Sequence, residues 1–334
     1  MLFVHIGTHK TGTSALQSAL TVGTDDLLEN GVRYIRAGRE GAIAHHKLAR
    51  AVRQKKDASL SVWDAVRAEI RASDSPTNVL SSEGLSFANA EAVKRELGEI
   101  GDVRIVLYLR RQDKYLQSLY KQTIAGGRTM DFPTWLDRQR ARGDYLSLVR
   151  GWADQFGEKA IVLRPYERDG ATIDVVQDFI GILGHDAGAV LPRRKKRGMR
   201  NPSPRRELME VIRAFNHADV EIDRDKFFFS IMQNNMAYAR SADLLDSDSC
   251  RALLEQYADS NRTLIDTYYR DDGSPLFPDF VPQSAPDFWK PGEPEYFDML
   301  VDVMTAAVRA VSERPAAGAP RKKHLKESGS DEDV

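Results

Sequence analysis

The chain holds little that could staple it and almost no net charge. Cys250 is its single cysteine, so no internal disulfide can form, which rules out a small cystine-framework fold and suits a reducing compartment. Lys and Arg together number 48 against 49 Asp and Glu, a formal charge of −1. No overall field draws such a chain to nucleic acid or to an anionic membrane, so no nucleic-acid partner is expected. No uninterrupted apolar run approaches the length of a bilayer span, so no transmembrane segment is expected. A basic leader before the first apolar run is also missing, and a cytoplasmic location is the expectation. The sequence shows no internal repeat.

What is present is an ordinary globular composition, 42% apolar and 29% charged over 334 residues, with ample length for a large core. Apolar runs rich in β-branched and aromatic residues alternate with stretches of helical spacing. Strands are expected at residues 2–6, 31–35, 78–82, 103–109 and 159–163. Helices are expected at about 14–20, 45–52, 60–72, 88–100, 113–124 and 173–183, and around Trp135 and Trp152. Such alternation implies an α/β fold with a mostly parallel sheet covered on both faces. Ligands of such sheets sit beyond the C-terminal strand ends. The loop from Gly7 to Thr13, Glu83 and Arg110 all follow strands in that sense.

Past about residue 184 the pattern changes. A basic run, Arg193 to Arg200, precedes Asn201-Pro202-Ser203-Pro204. Helices are expected at about 205–216, 250–268 and 294–311, with an irregular Pro- and aromatic-rich segment at 277–289. Residues 313–334 read as a disordered tail.

The most informative stretch is Gly7-Thr8-His9-Lys10-Thr11-Gly12-Thr13-Ser14, set between a buried strand and an amphipathic helix. It nearly matches the P-loop pattern G-x-x-x-x-G-K-[ST], which aims backbone N–H groups and a helix N-terminus at an oxyanion cluster. Thr13 stands where that pattern has lysine, and the lysine lies inside the loop as Lys10. This displacement argues against ordinary nucleotide triphosphate hydrolysis.

The stretch from His9 to Ser14 resembles the 5′-phosphosulfate-binding loop of sulfotransferases that use 3′-phosphoadenosine 5′-phosphosulfate (PAPS), which carry Lys-x-Gly-[Thr/Ser]-[Thr/Ser] there. In that family an arginine at a strand end and a serine eight residues on hold the nucleotide 3′-phosphate; Arg110 and Ser118 have this spacing. Arg111 is the other candidate at that strand end. A late basic-Gly loop that closes over the same phosphate is matched by Arg197-Gly198. Gln112 stands where the family often has proline.

The resemblance implies a P-loop-like three-layer α/β sandwich as one domain over 1–312. Its core sheet would lie in about 1–185, with a helical, aromatic-rich extension in about 186–312. It implies PAPS as sulfuryl donor, bound by Lys10, Thr11, Gly12, Thr13, Ser14, Arg110, Ser118, Arg197 and Gly198, with no metal. Lys10 would act on the leaving group, and a general base for the acceptor would come from His45, His46 or Glu83. His9 occupies a variable family position. The acceptor would be a hydroxyl or amine of a carbohydrate, glycolipid or small metabolite, with protein tyrosine also open. Tryptophans and the aromatic residues of 226–299 either line an acceptor cleft or fill the core, the commoner fate. Two rivals share these motifs: a small-molecule kinase in which Glu83 imitates a Walker B carboxylate, and a non-catalytic nucleotide-binding scaffold.

Overall fold

A computed structural model describes residues 1–41, 43–54, 57–168, 170–191, 204–218, 227, 231, 244–270, 273–282 and 291–312. The expected Arg197 and Gly198 contact and the 313–334 tail fall outside them.

The core is a five-stranded parallel sheet. Its strands are β1 (Leu2–Gly7), β2 (Val32–Tyr34), β3 (Thr77–Ser81), β4 (Val103–Leu109) and β5 (Ile161–Pro165), in the order β2-β3-β1-β4-β5. β1 is central and buried at every position, as a run apolar on both faces requires. Its side chains alternate between two cores. Val4 and Ile6 pack on one face with Leu80, Ile105 and Leu107. Phe3 faces the other with Val79, Val106 and Tyr108.

The second face is covered by α1 (Thr13–Val22) and α9 (Val175–Ile182), through Leu16, Leu20, Val176 and Phe179. The short helices α2 (Thr24–Glu29) and α10 (Ala187–Val190) complete that layer through Leu27 and Val190. The first face carries α3 (His46–Gln54), α4 (Asp57–Arg71), α5 (Ala90–Leu97), α6 (Gln112–Ala125), α7 (Phe132–Gln139) and α8 (Tyr145–Phe156). Leu48, Trp63, Val93, Leu116, Trp135 and Trp152 fill the core there. The described tryptophans are therefore core residues and line no cleft; Trp289 lies outside the described residues. This is the three-layer α/β sandwich that the strand–helix alternation implies, and α11 (Arg206–His217) packs further along α6.

Three local expectations differ. The helix expected at 250–268 is two, α12 (Ser247–Glu255) and α13 (Ala258–Tyr268). The break falls at Tyr257, whose hydroxyl donates to the Arg140 carbonyl at 2.8 Å. Its ring fills the space beside Gly143, where a Cβ would lie 2.7 Å from Tyr257 Cζ. Apolar spacing runs on through Leu253, Tyr257 and Leu264, which hides the break from a periodicity reading. Second, the strand expected from Lys159 starts only at Ile161, after a 3-10 turn over Glu158–Ala160. Third, a small antiparallel hairpin, β6 (Glu167–Arg168) and β7 (Ala171–Thr172), follows β5 and was not expected. The last helix is α14 (Pro294–Ser312).

Candidate functional site

At the C-terminal end of β1 the backbone register with β4 shifts between His5 and Gly7, and the chain leaves the sheet as a tight loop. Gly7, Lys10 and Gly12 have φ of 101°, 61° and 77°. Glycine suits the first and last, which are also crowded: a Cβ on Gly7 would lie 3.1 Å from Glu83 Cα, and one on Gly12 2.9 Å from Val175 Cγ2. Lys10 is the one described non-glycine residue with positive φ. Such a conformation costs an L-residue roughly 1 kcal/mol and persists where the surroundings impose it.

The loop is tied from within. Thr8 donates its N–H and its hydroxyl to the Tyr108 carbonyl at 3.3 and 3.2 Å. The hydroxyls of Thr11 and Thr13 both donate to the Thr8 carbonyl, at 2.6 and 3.2 Å. Their protons are thus used by the loop itself, and what these residues offer outward is backbone N–H. From His9 through Ser14 the backbone amides donate to no acceptor among the described residues. Gly12 caps α1 without a side-chain bond, and Ser14 is exposed in the first turn. The result is a run of unspent donors at the positive end of a ten-residue helix.

Two cations converge on this run. Desolvation by surrounding protein, then the charge of Arg110, lowers the Lys10 ammonium pKa, although the side chain still reaches solvent. Arg110 follows β4; its Nε and one terminal nitrogen both lie 2.9 Å from Glu167 Oε1, at the start of β6. Glu167 holds the guanidinium in place, and the guanidinium's remaining N–H groups bond to no described residue. Arg111 is engaged on every side. It grips Asp113 with two bonds of 2.8 and 2.9 Å and donates to the carbonyls of Pro278 and Asp279. Of the pair, Arg110 is the open one. Ser118 lies half-buried on α6, and its hydroxyl bonds to no described residue.

The three proton-acceptor candidates part company. His45 is fully buried: the Ser81 N–H donates to its Nδ1 at 3.1 Å, so its Nε2–H donates to the Ile35 carbonyl at 2.8 Å. Desolvation pushes its pKa down to about 4, and with both nitrogens engaged it is a structural residue. His46 opens α3, with Nδ1 at 3.1 Å from Ser82 Oγ. Glu83 begins a 3-10 turn right after β3, against Gly7. Gln17 of α1 donates to its Oε2 at 3.1 Å and to Ser81 Oγ at 3.2 Å. Ser81 Oγ in turn lies 2.8 Å from Nδ1 of the buried His5. Gln17 and His5 were missed at the sequence level; Gln17 could have been found as the residue one helical turn past Thr13, on the buried face of α1.

Arg142 was also missed, and His9 was set aside as a variable family position; both border the site. The His9 ring stacks on Phe87 at 5.3 Å, and the Arg142 guanidinium lies over the same ring at 4.9 Å. Desolvation, opposed by Glu83 and aided by Arg142, Lys10 and His46, lowers the His9 pKa. These groups therefore share one field. Among the described residues no three His, Cys, Asp or Glu side chains converge as a metal site, and no helix is long and apolar enough to cross a membrane. A hollow lined by Met1, Asn78, Glu99 and Asp102 lies at the opposite, N-terminal strand ends and takes no part in the site.

No protein-family profile matches the chain. An uncharacterised protein of Archaeoglobus fulgidus is 32% identical over 115 residues, 32% of this chain and 30% of that protein's length. Among solved structures, a sulfotransferase from Alicyclobacillus acidocaldarius is 19% identical, over 72% of this chain and 98% of that one, with a TM-score of 0.34. The fold given above is read from this chain's own strand order and register.

Proposed function

We propose that the chain is a sulfotransferase that moves a sulfuryl group from PAPS to a hydroxyl or amine of a carbohydrate, glycolipid or small metabolite. The observation that carries this reading is the run of unspent amides from His9 to Ser14 with Lys10 and Arg110 beside it. Donors and cations of that number suit a ligand with phosphate or sulfate at two places, and the crowding at Gly12 keeps the loop tight enough to present them. When bound, PAPS supplies a sulfuryl group whose leaving group is the nucleotide 5′-phosphate.

The chain's residues then divide the work. The amides and the Ser14 hydroxyl would hold the 5′-phosphate and sulfuryl oxygens. Arg110 and Ser118 would hold the 3′-phosphate. Lys10 would neutralise charge on the 5′-phosphate oxygen as the sulfur–oxygen bond breaks and the acceptor oxygen bonds to sulfur. Glu83, against Gly7 and oriented by Gln17, would accept the acceptor's proton. His46 is the alternative base, one residue behind it through Ser82.

The test is formation of adenosine 3′,5′-bisphosphate from PAPS over a panel of acceptors, without added metal. Acceptor-dependent product that falls at least about a hundredfold in Glu83→Gln, and less in His46→Gln, supports the assignment. Turnover of ATP with Mg²⁺ and none of PAPS would replace it with the kinase reading. Binding of nucleotide without turnover of either would leave a scaffold.

A further inference from the structure

Arg142 stands out among the arginines near the site. Arg110 is paired with Glu167, Arg111 with Asp113, Arg164 with Asp178 and the neighbouring Arg140 with Asp137. Arg142 has no carboxylate partner among the described residues. Its guanidinium instead lies over the Phe87 ring, which is 40% exposed, with the His9 ring stacked 5.3 Å away on that same ring.

A second donor sits close by. Tyr115 is 2% exposed, yet its hydroxyl bonds to no described residue. Burial pushes its pKa up to about 12, opposed only by the charge of Arg142, so the phenol stays protonated and lies in the guanidinium's field. Arg53 of α3 adds a further positive charge, felt by Arg142. Against Arg142, Arg53 and Lys10 the described site sets Glu83 alone on this side. The donor's phosphates would answer Lys10 and Arg110, which leaves Arg142 and Arg53 unanswered beyond His9.

We infer that Arg142, seated over Phe87 beside His9 and the Tyr115 hydroxyl, binds an anionic substituent of the acceptor, so that the acceptor is a carboxylate-bearing sugar or glycoside in preference to its neutral counterpart. This rests on the sulfuryl-transfer reading for which molecule occupies this side. A guanidinium and a phenol both donate to a carboxylate, and the aromatic ring beneath holds the guanidinium plane in place. The acceptor would place its carboxylate on Arg142, at the Phe87 end of the 3-10 turn whose other end carries Glu83.

The experiment is titration calorimetry on the full chain saturated with adenosine 3′,5′-bisphosphate. The probes are 4-nitrophenyl β-D-glucuronide and 4-nitrophenyl β-D-glucoside, which differ only in carboxylate against hydroxymethyl. The glucuronide is expected to bind about ten- to a hundredfold tighter, the range of one charge-assisted hydrogen-bonded pair. In Arg142→Met the preference falls to about one with bisphosphate affinity unchanged, and Arg142→Lys, which keeps the charge, restores part of it. Equal binding of the two glycosides, binding of neither, or a preference that survives Arg142→Met overturns the inference. Loss of bisphosphate affinity in Arg142→Met places the residue on the donor and also overturns it. Failure of the bisphosphate to bind wild type is a separate outcome: it removes the donor reading, and the acceptor assignment with it.

Discussion

Replacing Gly12 by alanine isolates what the loop demands of its backbone. Two terms add. An L-residue at φ 77° costs roughly 1 kcal/mol, and the new Cβ would stand 2.9 Å from Val175 Cγ2 and 3.4 Å from Tyr166 Cε2, an overpacking worth a further 1–2 kcal/mol or so. Val175 is 4% exposed in the core of the second face, so it has little freedom to retreat. Gly184 separates the terms, because at φ 86° its Cβ would meet nothing within 4 Å. Equilibrium urea unfolding should give a loss of about 1 kcal/mol for Gly184→Ala and about 3 kcal/mol for Gly12→Ala. In Gly12→Ala/Val175→Ala the clash is gone, so the double variant should be about 1–2 kcal/mol more stable than the sum of the singles predicts. Gly12→Ala no worse than Gly184→Ala, or strict additivity in the double variant, would refute the tight-loop argument.

The adjacent arginines should separate cleanly: Arg110→Ala lowers adenosine 3′,5′-bisphosphate affinity about ten- to a hundredfold in calorimetry with little change in stability. Arg111→Ala leaves Asp113, 1% exposed at its side chain, as an unpaired buried carboxylate, so it should cost about 3 kcal/mol or more in urea unfolding. Lys10→Gly relieves the one positive-φ side chain described and should raise stability by up to about 1 kcal/mol while abolishing sulfuryl transfer, a split that unfolding and turnover assays would read together. His5 and His45 are both held neutral by burial with pKa about 4, below the unfolded value of 6.5. The unfolded chain therefore binds more protons between those limits, and stability falls as pH drops from about 6.5 to about 4, by up to about 3 kcal/mol for each histidine. Urea unfolding across that range should show the slope, reduced by about one proton in His45→Gln; a stability flat over those pH values would contradict it.

The sheet was legible because each strand holds a run rich in apolar, β-branched or aromatic residues and most helices keep their spacing. β4 was read residue for residue as Val103–Leu109, since a run buried on both faces leaves no ambiguity of face. What escaped was decided by single tertiary contacts. Periodicity cannot see Tyr257 reaching the Arg140 carbonyl, so the break between α12 and α13 was invisible. The β6–β7 hairpin did leave a signal, Asp169-Gly170, the dipeptide that favours tight turns, with Gly170 at φ 74°.

The site divides in the same way. The loop, Glu83 and Arg110 could be placed at strand ends by chain order alone. Which hydroxyls face outward could not: Thr11 and Thr13 turn inward to the Thr8 carbonyl, a choice set by the loop's own closure. His45 and His46 are neighbours in sequence and opposites in environment, one sealed between Ser81 and Ile35 and one at the open start of α3. Arg142 lies in a 3-10 turn before α8, far in sequence from every motif, and only the folding of that turn over Phe87 brings it to the site.

The most direct test of the central claim is ligand-induced thermal stabilisation by adenosine 3′,5′-bisphosphate, set against ATP with Mg²⁺ and against AMP, in wild type and Arg110→Ala. A ligand that binds only the folded chain raises Tm by mass action. The account predicts a rise with the bisphosphate alone, lost in Arg110→Ala. A rise with ATP and Mg²⁺ and none with the bisphosphate would contradict it.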